Sequence, residues 1–191
     1  MMSPMDEKRM TRIFMRAPKV RLDTARPHGS LLSPHMFIDT HAHLYHKQYD
    51  SDREEMLARA VDAGVKKLFL PNIDHESIEG MHALCDAHPD LCFPMMGLHP
   101  SHVTADFTKD LAEVERLLSD GRYYAVGEIG IDLYWDKTWI GQQQEVFRQH
   151  VRWAKELDLP IAIHCRNSFP ETIAIVEAEN TDELRGVFHC F

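Results

Sequence analysis

The chain has 191 residues, 44% of them hydrophobic, and a formal net charge of −9, which suits one domain with a packed core and excludes a disordered polyelectrolyte. No apolar run approaches the roughly 20 residues that span a bilayer, and the N-terminus lacks the apolar stretch of a secretory signal, so the default expectation is a cytoplasmic protein with no membrane partner. The charge is uneven: residues 1–35 carry seven Lys or Arg against three Asp or Glu, a balance of +4 that leaves −13 on the remainder. A body that acidic binds nucleic acid poorly by charge alone, unless bound cations supply the local positive field.

Residues 1–35 hold Pro4, Pro18, Pro27 and Pro34 with scattered arginines and weak periodicity. They read as a flexible extension ahead of a body spanning 36–191. In the body, strands and helices alternate. Met36–Asp39 reads as a short buried strand, and Ser51-x-x-Glu54 as a capping box for a helix over Asp52–Ala63 that Gly64 ends. Val65–Pro71 is the second strand. Asp74 caps a helix running to about His88, where Pro89 stops it. A third strand is expected over Leu91–Leu98, irregular at Pro94, then a helix over Lys109–Leu118 and a fourth strand over Tyr123–Glu128. Gln142–Leu157 is the strongest helix, with Val146, Phe147, Val151, Ala154 and Leu157 on one face. A fifth strand (Pro160–His164), a helix (Glu171–Glu177) and a sixth strand (Gly186–Phe191) complete the series.

Strict alternation of this kind is α/β. The reactive side chains fall at the C-terminal ends of several different strands, which favours a TIM-type (β/α)₈ barrel over a doubly wound sheet. Six β units are visible, not eight, and 156 residues follow residue 35, against about 250 for a typical closed barrel. The expectation is therefore a barrel incomplete at its C-terminal end. Cys85, Cys92, Cys165 and Cys190 form no Cys-x-x-Cys pair and read as reduced, mostly buried thiols.

The chemistry is concentrated in four segments, each on an apolar run. Phe37-Ile-Asp-Thr-His41-Ala-His43 carries two imidazoles two residues apart, the spacing that puts both on one face of a strand. Such a pair suits Zn²⁺, Mn²⁺, Fe²⁺ or Ni²⁺. Glu128 follows Ala125-Val126-Gly127, where a buried carboxylate is costly unless paired or metal-bound, and its two oxygens allow it to bridge two cations. His164 ends Ile161-Ala-Ile163 and His189 ends Val187-Phe188; one such histidine is ordinarily a core or rim residue, but two together with Glu128 and the His-x-His are not. Asp132 is placed in the loop after the fourth strand, as a residue that orients a ligand, contacts substrate or is merely solvated. Arg166 shares the face of His164 and suits an anionic substrate. His99, in Gly97-Leu-His-Pro100, is a candidate for substrate hydrogen bonding or proton transfer. Asn72, ending the second strand, is a candidate lining residue with a turn or capping role as the alternative. Tyr134 and Trp135 are candidates for stacking on a base or walling the site.

Together, Phe-Ile-Asp-Thr-His-Ala-His-Leu, Gly-Leu-His-Pro, Gly-Glu-Ile-Gly-Ile-Asp, Ile-His-Cys-Arg and Phe-His-Cys-Phe, in this order from residue 36 onward, resemble the TatD-type metal-dependent hydrolases. The resemblance implies a deoxyribonuclease on an amidohydrolase-like barrel, acting as a 3'-5' exonuclease on DNA or another phosphodiester. It implies two divalent cations per subunit (Mg, Mn or Zn), one held by His41 and His43 and a second by His164 and His189, with Glu128 bridging them and serving catalysis together with His99. Arg166, Asn72 and Tyr134 would meet the substrate. The family carries a further metal-ligating Asp on a later strand, beyond the segments seen here, and residues 1–35 lie outside the family pattern. The complete family fold implies a monomer; a barrel short of two units would leave open sheet edges and invite association. Two rival readings stand beside this one: an amidohydrolase acting on an amide, lactone or nucleobase, disfavoured because Glu128 occupies the fourth-strand place where many such enzymes carry a carbamylated Lys, and an inactive truncated product.

Overall fold

A computed structural model describes residues 36–189; the expectations for residues 1–35 and Cys190 fall outside them. The elements run β1 (Phe37–Asp39), a 3₁₀ turn (Lys47–Tyr49), α1 (Arg53–Asp62), β2 (Val65–Pro71), α2 (Ser77–Ala87), β3 (Cys92–Met95), a second 3₁₀ turn (Pro100–His102), α3 (Phe107–Leu118), β4 (Val126–Asp132), α4 (Ile140–Glu156), β5 (Ile161–Arg166), α5 (Phe169–Glu179) and β6 (Gly186–Phe188). All strand pairings are parallel, within β1-β2-β3 and within β4-β5-β6. A single parallel bridge, Met96 to Val126, joins the two sets.

The six strands thus form one wall in sequence order, and the wall curves. His41, two residues beyond β1, stacks on His189, one residue beyond β6, with ring centroids 3.4 Å apart and planes 9° from parallel. Two ends of a flat six-stranded sheet would stand roughly 24 Å apart at the usual spacing between strands. This is the α/β barrel architecture expected from the alternation, with six strands and five intervening helices described.

The main core lies between the wall and its helices. Phe147, Val151 and Ala154 of α4 pack fully buried among Ile129, Ile131, Ile161 and Ile163. Leu157, expected on that stripe, sits past the helix end and is 42% exposed. A small second cluster of Met95, Ala125 and Ala162 with Phe69 lies apart from it.

Several boundaries differ from expectation for physical reasons. The Ser51/Glu54 capping box does not form: Asp52 is the N-cap without a side-chain cap, and Glu54 lies 3.2 Å from His88 instead. Glu76, not Asp74, is the N-cap of α2, but Asp74 still braces the entry, its Oδ1 accepting the Ser77 N–H at 2.9 Å. The third strand is cut to four residues. Pro94 has no N–H to donate, and beyond Met95 the chain turns from β2 to β4: Met96 donates to Ala125 O. β4 extends further than expected and takes in Asp132, which is buried at the strand end rather than in the loop. Gly130 makes that extension possible, since it adopts φ +140 where a Cβ would strike the His164 carbonyl. β1, expected to be buried, is exposed along its length, because among the described residues it is paired only with β2.

Candidate metal centre

The C-terminal strand ends bring five of the expected residues together. Glu128 stands at the middle, on a strand buried at every position. Its backbone N–H donates to Asn72 O, which ties the end of β2 to β4. Its two carboxylate oxygens face different partners. Oε2 lies 3.0 Å from His41 Nε2 and 3.3 Å from His43 Nε2. Oε1 lies 2.9 Å from His164 Nδ1 and 3.8 Å from His99 Nε2. Two donor clusters result, each with its ligand atoms mutually within 4.8 Å: His41, His43 and Glu128, and His99, Glu128 and His164.

His41 and His43 lie just past β1 rather than on it, yet their Nε2 atoms are 3.2 Å apart as the strand-face argument required. Partners on the far side decide which nitrogens stay free. Tyr45 donates its hydroxyl proton to Pro71 O at 2.6 Å, so its oxygen accepts the His43 Nδ1 proton at 2.9 Å. The lone pair of His43 is then on Nε2, facing Glu128. His164 is arranged alike: its Nε2 lies 2.9 Å from Asp132 Oδ2, so Nδ1, 2.9 Å from Glu128 Oε1, is the nitrogen that a cation would take. This is the carboxylate–histidine pairing that orients metal-bound imidazoles. Asp132 is itself held, its backbone N–H donating to Gln143 Oε1 and its Oδ1 accepting the Tyr134 N–H, both at 2.9 Å.

His99 differs. Its Nδ1 accepts the Ser101 N–H at 3.1 Å, so the neutral ring carries its proton on Nε2, aimed at His164 Nδ1 3.2 Å away. Burial pushes the His99 imidazole down to about 4, which keeps it neutral. A hydrogen-bond donor toward the centre fits this tautomer better than a ligand does.

His189 was expected beside His164. Its ring stacks on His41, across the closing of the wall and near enough to Glu128 and His164 to feel their charges, with its backbone N–H on Ile163 O at 2.8 Å. Asn72 does not present itself to a substrate. It is 1% exposed, its amide nitrogen donates to Gly97 O and its amide oxygen accepts the Ser77 hydroxyl, each at 2.8 Å. It joins three strand ends from inside. Arg166 and Tyr134 do lie together at the rim, exposed.

The charges argue for a cation. Burial alone would raise the Glu128 carboxyl, but hydrogen bonds from His164, then His41, hold it far below the ordinary carboxylate range. Burial opposes a charged His164, yet hydrogen bonds to Glu128 and Asp132 and their charges lift it above its usual value. Four imidazoles thus crowd a buried carboxylate with no Lys or Arg among them, while the buried His41 Nδ1 has no hydrogen-bond partner. In the first cluster three electron-rich atoms converge with too few protons to separate them. A divalent ion resolves that shortage, and the nitrogen–oxygen donor set suits Zn²⁺ or Mn²⁺.

Sequence reading missed the supports. Tyr45, Gln143 and His150 all hold the centre from behind. Gln143 and His150 do leave a signal: they occupy the buried face of α4 together with Val146, Phe147 and Ala154, where a polar residue demands a partner.

A family model described as TatD related DNase matches residues 38–191. YabD of Bacillus subtilis, an uncharacterised metal-dependent hydrolase, is 35% identical over 156 residues, 82% of this chain and 61% of that protein. A Pantoea protein (strain At-9b) named 3'-5' ssDNA/RNA exonuclease TatD is 31% identical over 154 residues, 81% of this chain and 59% of that protein. The crystal structure of YjjV, a TatD homologue of Escherichia coli, superposes with a TM-score of 0.74 at 30% identity, over 81% of this chain and 60% of that one. A TatD family hydrolase of Entamoeba histolytica shares the fold at TM-score 0.70 and 22% identity, over 82% of this chain and 58% of that one. The chain therefore spans about three fifths of the length of these relatives.

Proposed function

The chain belongs to the TatD related DNase family, and from that premise we propose that it is a metal-dependent hydrolase of phosphodiester bonds in DNA, working as a 3'-5' exonuclease. The observation that carries this reading is the shared carboxylate, one oxygen of Glu128 facing each imidazole cluster. We assign the metal set to His41, His43, Glu128, His164 and His189, for two divalent ions.

When bound, such ions would supply a lowered water pKa and a polarised phosphoryl oxygen. The protein's own groups do the rest. Tyr45 keeps the His43 proton on Nδ1, and Asp132 keeps the His164 proton on Nε2, so that both rings offer lone pairs inward. His99 holds a proton on Nε2 within reach of the centre and is placed to donate a hydrogen bond to a leaving oxygen. Arg166, at the rim two residues after His164, meets the phosphate of the strand. Asn72 acts at one remove, fixing Gly97 and hence the turn that bears His99.

The test is metal titration of the full chain by calorimetry, beside cleavage of an end-labelled single-stranded oligonucleotide in Mn²⁺. Glu128→Gln should abolish binding at both clusters and lower cleavage by about 10³-fold or more. His41→Ala should remove one cluster and leave a weaker stoichiometric site. Unchanged binding and cleavage in Glu128→Gln would refute the proposal.

A further inference from the structure

The loop after β4 carries two large rings that the fold leaves in water. Trp135 is 73% exposed and Tyr134 51%. They meet edge to face, with centroids 4.7 Å apart and planes at 90°. Arg166 lies over both, its Cζ 3.8 Å from the Tyr134 centroid and 5.4 Å from that of Trp135. Among the described residues no carboxylate pairs with this guanidinium; its neighbours are π-faces. Exposed aromatics in contact with an unneutralised cation form a surface for a flat, electron-rich, anionic ligand.

The shelf is wired to the metal centre. Tyr134 N–H donates to Asp132 Oδ1, and the other oxygen of the same carboxylate holds His164 Nε2, both at 2.9 Å. Arg166 stands opposite Asp132 in the β4–β5 register. On the far side of Trp135 the loop is turned by Asp136, whose Oδ1 accepts the Thr138 N–H at 2.8 Å. The rings are therefore carried by a braced loop that begins at a residue supporting a metal ligand.

Resting on the hydrolase reading above, we propose that Tyr134, Trp135 and Arg166 form a stacking subsite for one unpaired nucleobase, adjoining the phosphate held at the metal centre. Every base offers a π-face, so the subsite is indifferent to sequence. In a duplex those faces are covered by neighbouring pairs, and only a frayed or single-stranded end presents one. The charge of the chain supports the assignment. With −13 on residues 36–191, general attraction for a phosphate backbone is weak, and local contacts must supply the affinity.

Equilibrium binding decides it. A dye-labelled single-stranded oligonucleotide is titrated with the full chain in EDTA, and so is the same strand with its last two bases removed; cleavage is followed separately in Mn²⁺. The wild-type chain should bind the base-bearing strand on the order of 10-fold more tightly than the abasic one. Trp135→Ala should erase that ratio, and Trp135→Phe should restore most of it; the ring is largely exposed, so neither change threatens folding. Equal binding of the two strands by the wild-type chain, or a ratio untouched by Trp135→Ala, overturns the subsite. The two readings fail separately: loss of cleavage with the base ratio intact refutes the hydrolase, and cleavage without a base ratio refutes the shelf.

Discussion

β4 and β1 both deliver residues to the same centre from opposite circumstances. Every residue from Val126 to Asp132 is buried, whereas all three residues of β1 are exposed, Phe37 and Ile38 each by about half. β4 has β5 along one side, the Met96 bridge on the other and α4 behind it. β1 has β2 alone among the described residues. The lesson is that one half of the centre is positioned by core packing and the other half by individual polar ties: Tyr45 on His43, the Asp39 carboxylate on the His41 N–H, and the His189 ring on His41.

The contrast can be broken or sharpened by substitution. The largest effect is expected at Gly130→Val in β4. Its positive φ and the His164 carbonyl leave no place for a side chain, so destabilisation of about 4 kcal/mol or more should appear in urea unfolding. His150→Leu comes next. The fully buried His150 ring accepts the Leu98 N–H at 3.2 Å and donates to Val146 O at 2.7 Å. Its loss leaves both unsatisfied, at a cost of about 2–4 kcal/mol.

His150 also sets a pH signature. Burial pushes it from 6.5 down to about 4. Between those values the unfolded chain binds a proton that the folded chain refuses, so this contribution is present above pH 6.5 and is lost as the pH falls toward 4. The loss reaches about 3 kcal/mol, and His150→Gln should flatten that part of the stability–pH curve. Tyr45→Phe should weaken metal binding about 10-fold by freeing the His43 tautomer, at a stability cost of about 1 kcal/mol for the lost bond to Pro71 O. Ile38→Thr on exposed β1 should stay within about 0.5 kcal/mol of wild type. A cost comparable to that at Gly130 would show that the two strands are equally embedded, and would end the comparison.

Much of this was legible in the residues. Val65–Pro71 appears as a strand with the expected bounds, and the other elements agree to within a few residues, because period and punctuation are local properties. Glu128 could be picked out because a carboxylate inside an apolar run is expensive whatever surrounds it. The supports were not legible. Whether Asn72 meets a substrate or a carbonyl depends on Gly97, 25 residues away, and whether His150 is a surface or a core residue depends on Leu98, 52 residues away.

By itself, then, the sequence determined the alternation of elements, the strand ends that bear the imidazoles and the carboxylate, and the chemistry those groups share, since each follows from side-chain type and short spacing. Tertiary structure alone decided which nitrogens point inward and which neighbours they meet. His189 stacks on His41, and His99 stands next to Glu128 and His164. The physical reason is curvature: the pairings across the wall depend on how far six strands bend, and the tautomers depend on donors and acceptors that only that bend brings into reach.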